Sequence, residues 1–146
     1  KRFRGSRLAM LEAGLVPDER WILNANWQIE TSYELMNRLV REKRAELPTA
    51  FFVASDVMAI AAMRAVTENG LRVPEDVAFF SVDNIEISQY TSPPLSTVHV
   101  PKFEIGLTAA RTLVNCLEGK QEYPVKILLP FELKIRQSSL YRRPEA

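Results

Sequence analysis

The sequence is poor in the groups that most catalytic and scaffold chemistries require. A single cysteine, Cys116, rules out an internal disulfide and is consistent with a reducing compartment. It falls mid-helix on a face with Ile105, Ala109 and Leu113, which reads as packing of a small apolar side chain. The one histidine, His99, is flanked by Val98, Val100 and Pro101, a strand-to-hinge setting and not that of a general base. There is no phosphate loop, no Gly-x-Ser-x-Gly elbow and no metal-ligand cluster. No enzymatic class therefore has a positive feature, and no cofactor is expected. No apolar run approaches the ~20 residues of a membrane-spanning helix. The net charge is only +1, so the field of the whole chain attracts no highly charged partner. Small basic clusters remain: Lys1, Arg2, Arg4 and Arg7 at the start, Arg142 and Arg143 near the end. Apart from Arg2 they read as solvated surface.

What is present is an ordinary globular balance. Of 146 residues, 47% are hydrophobic and 25% charged, enough for one domain with a core. The chain opens on KRFRGSR with no initiator methionine, as the middle of a larger domain would. Helical spacing of Leu8, Leu11 and Leu15 predicts a helix from about Phe3 to Ala13. Trp21–Ala25 is a strand candidate. A second helix is predicted from Ile29 to Ala45, with Thr31 or Ser32 as its cap. The apolar run Ala50–Ala54 predicts a strand, and Val57–Glu68 a helix capped by Ser55 or Asp56. That helix carries Ala59, Ala61, Ala62 and Ala65, small residues that allow close approach to a sheet or a second helix. Strands are predicted at Val77–Val82 and Ser96–Val100. A helix with Pro101 in its first turn then runs to Glu118. Two short strands, Val125–Leu129 and Phe131–Arg136, close the chain. The β-α-β-α alternation predicts an α/β fold with a parallel sheet flanked by helices on both faces. The pairs Phe51-Phe52 and Phe79-Phe80 are expected to be buried on both sides.

Function concentrates at two strand ends. Ser55-Asp56 follows the Ala50–Ala54 run, and Asp83-Asn84 follows Val77–Val82. In an open parallel sheet, ligands bind outside the carboxyl ends of the strands. Two polar pairs at two such ends are placed to converge on one small molecule.

The segments VASDVMAIAAMRAV, GLRVPEDVAFFSVDN and PPLSTVHVP resemble the lactose/galactose repressor family of bacterial transcription regulators. The resemblance extends from the R-x-x-G-x-x-x-A pattern at Arg2–Ala9 to LPFELKIRQSS at Leu129–Ser139. It implies a periplasmic-binding-protein-like (type I) core in which an effector, a sugar or sugar derivative, binds between two lobes. On this basis residues 1–101 are most of the C-terminal lobe. Residues 102–121 carry a helix crossing to a mostly absent N-terminal lobe, and residues 122–146 are closing strands and tail. The helix-turn-helix domain that would contact operator DNA is absent from this chain. The resemblance also implies a cytoplasmic homodimer, with Ile60, Met63 and Tyr90 at the dimer contact.

Effector contacts transfer only at matching positions. Arg2 matches an arginine that hydrogen-bonds the effector, a role suited to its planar fork of donors. Trp27 falls where an aromatic lies against the ligand's face, although a core tryptophan is an equal alternative. Ser55-Asp56 matches a pair usually written Asn-Asp, and Asp56 has helix capping as its alternative. Asp83 matches an aspartate that accepts from effector hydroxyls. Ser81-Val82-Asp83-Asn84 stands where Gly-aromatic-Asp-Asp is common, so the backbone is less permissive and one charge is lost. Val100 and Lys102 align near pocket positions without a polar match. The alternative function is a sugar-binding protein of a transport system with the same fold.

Overall fold

A computed structural model describes residues 1–121 and 123–140. Arg142 and Arg143 therefore lie outside the described residues, as do Glu122 and the rest of the expected tail. Helix α1 spans Arg2–Glu12, and α2 spans Ile29–Lys43. Strand β1 (Ala50–Phe52), helix α3 (Asp56–Glu68) and strand β2 (Ala78–Asp83) follow. Strand β3 (Ser96–His99), helix α4 (Lys102–Leu117) and strand β4 (Glu132–Lys134) complete the order.

The four strands lie in the order β1-β2-β3-β4. Strands β1, β2 and β3 are mutually parallel, with Phe51 opposite Phe79 and Ser81 opposite Thr97. The all-parallel expectation is corrected at the last strand. β4 pairs antiparallel to β3, with His99 opposite Glu132. The sheet is thus mixed. A parallel neighbour needs a crossover connection. Here α4 intervenes between β3 and β4, and the chain returns in the opposite sense.

The core forms where α2 and α3 pack over the sheet. Met36 and Val40 of α2 meet Ala62, Met63 and Val66 of α3, above Phe79 and Leu95. The alanines explain the closeness. Ala59 and Ala65 are fully buried, and with no side chain beyond Cβ they let α3 contact both the sheet and α2. Phe51 stacks on Phe79 with ring centroids 5.9 Å apart. Phe52, on the other face of β1, is 42% exposed, so the expected two-sided burial fails for the first FF pair.

Local predictions fail where polar side chains found distant partners. α2 starts at Ile29, and Ser32 does not cap it; its hydroxyl donates to the Met58 carbonyl at 3.0 Å and ties α2 to α3. Trp21–Ala25 is not a strand. A single 3-10 turn, Glu19–Trp21, begins at Asp18, whose carboxylate accepts from the Arg20 amide at 3.0 Å. No strand occupies Val125–Leu129. α4 has an apolar stripe yet no buried residue; Phe103 and Leu117 are exposed.

A stitch of hydroxyls fastens the last described residues to the sheet. The Ser138 hydroxyl donates to the Phe79 carbonyl and accepts from the Ser96 amide, both at 2.8 Å. Ser96 Oγ donates to the Arg136 carbonyl and accepts from the Arg136 amide, both at 2.7 Å.

Candidate functional site

The carboxyl ends of β1 and β2 carry the site. Asp83 is the last residue of β2, and Ala54 lies just past β1. Arg2, at the first turn of α1, reaches both. Its Nη2 donates to Asp83 Oδ1 at 2.6 Å and its Nη1 to Asp83 Oδ2 at 3.2 Å. Nη1 also donates to the Ala54 carbonyl at 2.5 Å. A planar guanidinium is the one side chain that can grip both carboxylate oxygens and still reach a backbone carbonyl. The pair is half-exposed, so both groups remain reachable from solvent.

Trp27 completes the cluster. The Arg2 guanidinium carbon lies 5.8 Å from the centre of its ring, within cation–π range. The indole is 66% exposed, so Trp27 is not a core residue. Its backbone has φ 62°, and Asn26 before it has φ 49°. This left-handed turn aims the ring outward, ahead of α2. The turn is closed by the Gln28 amide donating to the Ala25 carbonyl at 2.8 Å.

Asp83 itself has φ 131° and Asn84 φ 47°. A non-glycine residue held there costs about 1–3 kcal/mol and persists only where its surroundings over-determine it. The surroundings here are specific. The Asn84 amide donates to Thr97 Oγ1 at 3.2 Å. Asn84 Oδ1 accepts from Arg136 Nη2 at 2.8 Å, and its side-chain amide meets His99 Nδ1 at 3.1 Å. Lys102, the first residue of α4, donates from Nζ to the Asp83 carbonyl.

Asp56 requires a correction. It is fully buried, and its oxygens accept from residues on other elements. Oδ1 accepts from Ser81 Oγ at 2.5 Å and Thr97 Oγ1 at 2.6 Å, and Oδ2 from the Ile85 amide at 2.8 Å. Three donors occupy the carboxylate, and its full burial keeps it out of reach of an effector. Nor does it cap α3. Ser55 holds the N-cap position, is buried, and makes no side-chain cap bond. The dimer expectations change similarly. Met63 is only 4% exposed inside the core, and Ile60 is half-buried against it, whereas Tyr90 is 70% exposed.

Arg2, Trp27 and Asp83 are thus brought together, whereas Ser55 and Asp56 are buried at the start of α3. Lys102, His99 and Arg136 were not assigned to the site from sequence, and Asn84 was named only as the partner of Asp83 in a polar pair at a strand end. Lys102 carried one signal, its alignment near a pocket position. A shallow concavity of about 570 Å³, lined by Arg44, Leu47, Leu71 and Val77 among others, lies at the opposite strand ends. It contains none of these residues. Among the described residues no cluster of His, Cys, Asp or Glu could hold a metal ion.

A helix-flanked mixed sheet with polar side chains converging at its strand ends defines a periplasmic-binding-protein-like domain. The family model for that domain matches residues 1–139. The HTH-type transcriptional repressor PurR of Haemophilus influenzae (strain PittEE) is 42% identical over 141 residues, which is 94% of this chain and 41% of the relative. The transcriptional regulator CelR–cellobiose complex superposes with a TM-score of 0.86 at 34% identity, over 94% of this chain and 41% of that one. The lac repressor dimer bound to operator and the anti-inducer ONPF does so with a TM-score of 0.82 at 29% identity, over 96% and 47%. The chain belongs to the lactose/galactose repressor family and forms part of its periplasmic-binding-protein-like effector core. It spans about two-fifths of the length of the curated relatives it matches. Those relatives are transcriptional repressors and not enzymes.

Proposed function

We propose that this chain is the C-terminal part of the effector-sensing core of a cytoplasmic, DNA-binding repressor, and that its effector is a sugar or sugar derivative. The observation carrying the proposal is the convergence of Arg2, Trp27 and Asp83, which brings together donors, an acceptor and a flat apolar face. Paired hydroxyls match the carboxylate and the guanidinium, and the CH face of a sugar ring matches the indole. The cellobiose complex of a relative supports this ligand class. The effector would bind between this lobe and a second one. The exposed apolar stripe of α4 supports the crossing of residues 102–121 to that lobe. Residues 1–101 form the C-terminal lobe, and the described part of residues 122–146 closes it.

In such a device the ligand changes operator affinity only through its different affinity for two lobe arrangements, typically about 1–3 kcal/mol of coupling. The operator-bound dimer of a relative supports a homodimeric assembly here, with Tyr90 at the contact. The runner-up, a sugar-binding protein of a transport system, shares the fold, but the relatives named above are regulators.

The test is Asp83→Ala in the complete regulator, titrated calorimetrically with glucosides, galactosides, pentoses and purine bases. Loss of a charge-assisted acceptor costs about 1–3 kcal/mol, so effector binding should weaken roughly ten- to a hundredfold. Operator affinity without effector should stay nearly unchanged. Unaltered binding of every responsive ligand would remove Asp83 from the site. Response to purines alone would replace the sugar by a flat base stacked on Trp27.

A further inference from the structure

We propose that Asp56 is the positioning residue of the effector site, a buried carboxylate that holds the turn carrying Asp83 and thereby sets where the Arg2–Asp83 pair stands. The proposal deepens the effector reading and rests on it.

Asp56 reaches the turn from both sides. Before Asp83, the Ser81 hydroxyl donates to its Oδ1. After Asp83, the Ile85 amide donates to its Oδ2. The residue between, Asn84, is held at one remove, because its amide donates to Thr97 Oγ1 and that same hydroxyl donates to Asp56 Oδ1. Three residues flanking Asp83 are therefore referred to one carboxylate. Asp83 is the residue whose φ of 131° needs such enforcement.

The chemistry of Asp56 fits a clamp better than a stability element. No ion pair found among the described residues includes it, so its charge is met by hydrogen-bond donors alone. A buried charge without a cation is tolerated only where every donor is in place. Asp56 is also the first residue of α3, where the partial positive charge of the helix favours an anion. Ser81 and Thr97 stand opposite each other on β2 and β3, so both hydroxyls reach one oxygen without distorting the strands. The carboxylate fixes the distance between the end of β2, the neighbouring β3 and the start of α3. That spacing determines where the Asp83 carboxylate emerges.

Asp56→Ala is a poor probe, since it leaves buried donors unpaired and can fail to fold. Thr97→Val is milder. It keeps the shape, removes the hydroxyl that links Asp56 to Asn84, and is paired with Thr97→Ser, which restores it. Amide hydrogen exchange in the full chain is read by NMR at Asn84 and Ile85. The reference amides are Val53 and Ala78, which donate to the Phe80 and Thr49 carbonyls in the ladder. Thr97→Val should speed exchange at Asn84 and Ile85 tenfold or more while the ladder amides change less than threefold. Thr97→Ser should return the turn to the parent rate. Equal acceleration at turn and ladder, or no acceleration at the turn, overturns the proposal. The effector reading is tested separately by Asp83→Ala and ligand titration. A turn that loosens selectively while Asp83→Ala leaves binding intact keeps the clamp and discards the effector role of Asp83.

Discussion

Arg72 and Asp76 show what a single short loop can do with one carboxylate. Asp76 accepts from Arg72 Nη2 at 2.7 Å, from its Nε at 3.0 Å and from its backbone amide at 2.8 Å. The side-chain hydrogen bonds from Arg72, then the one from its amide, lower the Asp76 carboxyl from 3.8 to about 2. The folded value lies below the unfolded one. The contribution is therefore complete above the unfolded value and is lost as pH falls toward about 2. Arg72→Ala should flatten the pH dependence of thermal stability between those two values, lowering the melting temperature at neutral pH and leaving it little changed near pH 2. Melts recorded down that acid range decide it: a slope identical to the parent's would show that the pair contributes nothing. Similar chemistry separates what the sequence revealed of the site from what it hid. Arg2 and Trp27 were named through the family resemblance, and Asp83 through that resemblance and its place at a strand end. Ser81 and Thr97 were not legible, since a hydroxyl in a β-branched or apolar run looks like strand filling until its acceptor is known. Asp56 was seen, but as an effector contact by resemblance or as a helix cap; its partners Ser81, Thr97 and Ile85 lie far along the chain and left no local mark.

Elements were legible where hydrophobic period and breaker residues agreed. α2, α3 and α4 follow their apolar stripes closely, and β2 follows its run. The sense of β4 was not legible, because strand direction depends on a pairing some thirty residues away and leaves no local mark. Trp21–Ala25 failed as a strand because no ladder partner claims it. α3 shows the limit of composition. Its alanines announce close packing but not against what, and the structure gives that face to α2 and the sheet. Met63 is buried there, so Met63→Lys should cost about 3 kcal/mol of folding stability by placing an unpaired charge in the core. Tyr90 is exposed just after a short 3-10 turn, Glu86–Gln89, and Tyr90→Glu should leave the melting temperature within a few degrees of the parent. In the complete regulator the same change should lower the mass measured by light scattering toward monomer. A Met63→Lys protein that melts like the parent would contradict the core assignment. A Tyr90→Glu protein of unchanged mass would remove Tyr90 from the dimer contact.

At the scale of the molecule, the net charge of +1 and the absence of a recognition helix among the described elements set an expectation for the chain by itself. It should not bind operator DNA specifically. Phosphate contacts supply most of non-specific affinity and need an extended array of lysine and arginine, whereas this chain has only small basic clusters balanced by 18 acidic residues. A sequence-specific shift at physiological salt, surviving competitor DNA, would overturn that expectation. The stitch at Ser138 has a further consequence, in time and not in space. The Phe79 carbonyl and the Ser96 amide wait for a hydroxyl that lies 59 and 42 residues further along the chain. As the polypeptide emerges from the ribosome, α2, α3 and the first three strands can collapse together, but two buried backbone groups in the middle of the sheet stay unpaired. Long-range closures of this kind are slow and expose unfinished edges. The nascent sheet therefore depends on residues made after it, and until β4 and the stitch follow, its β3 edge is open to strands from other chains.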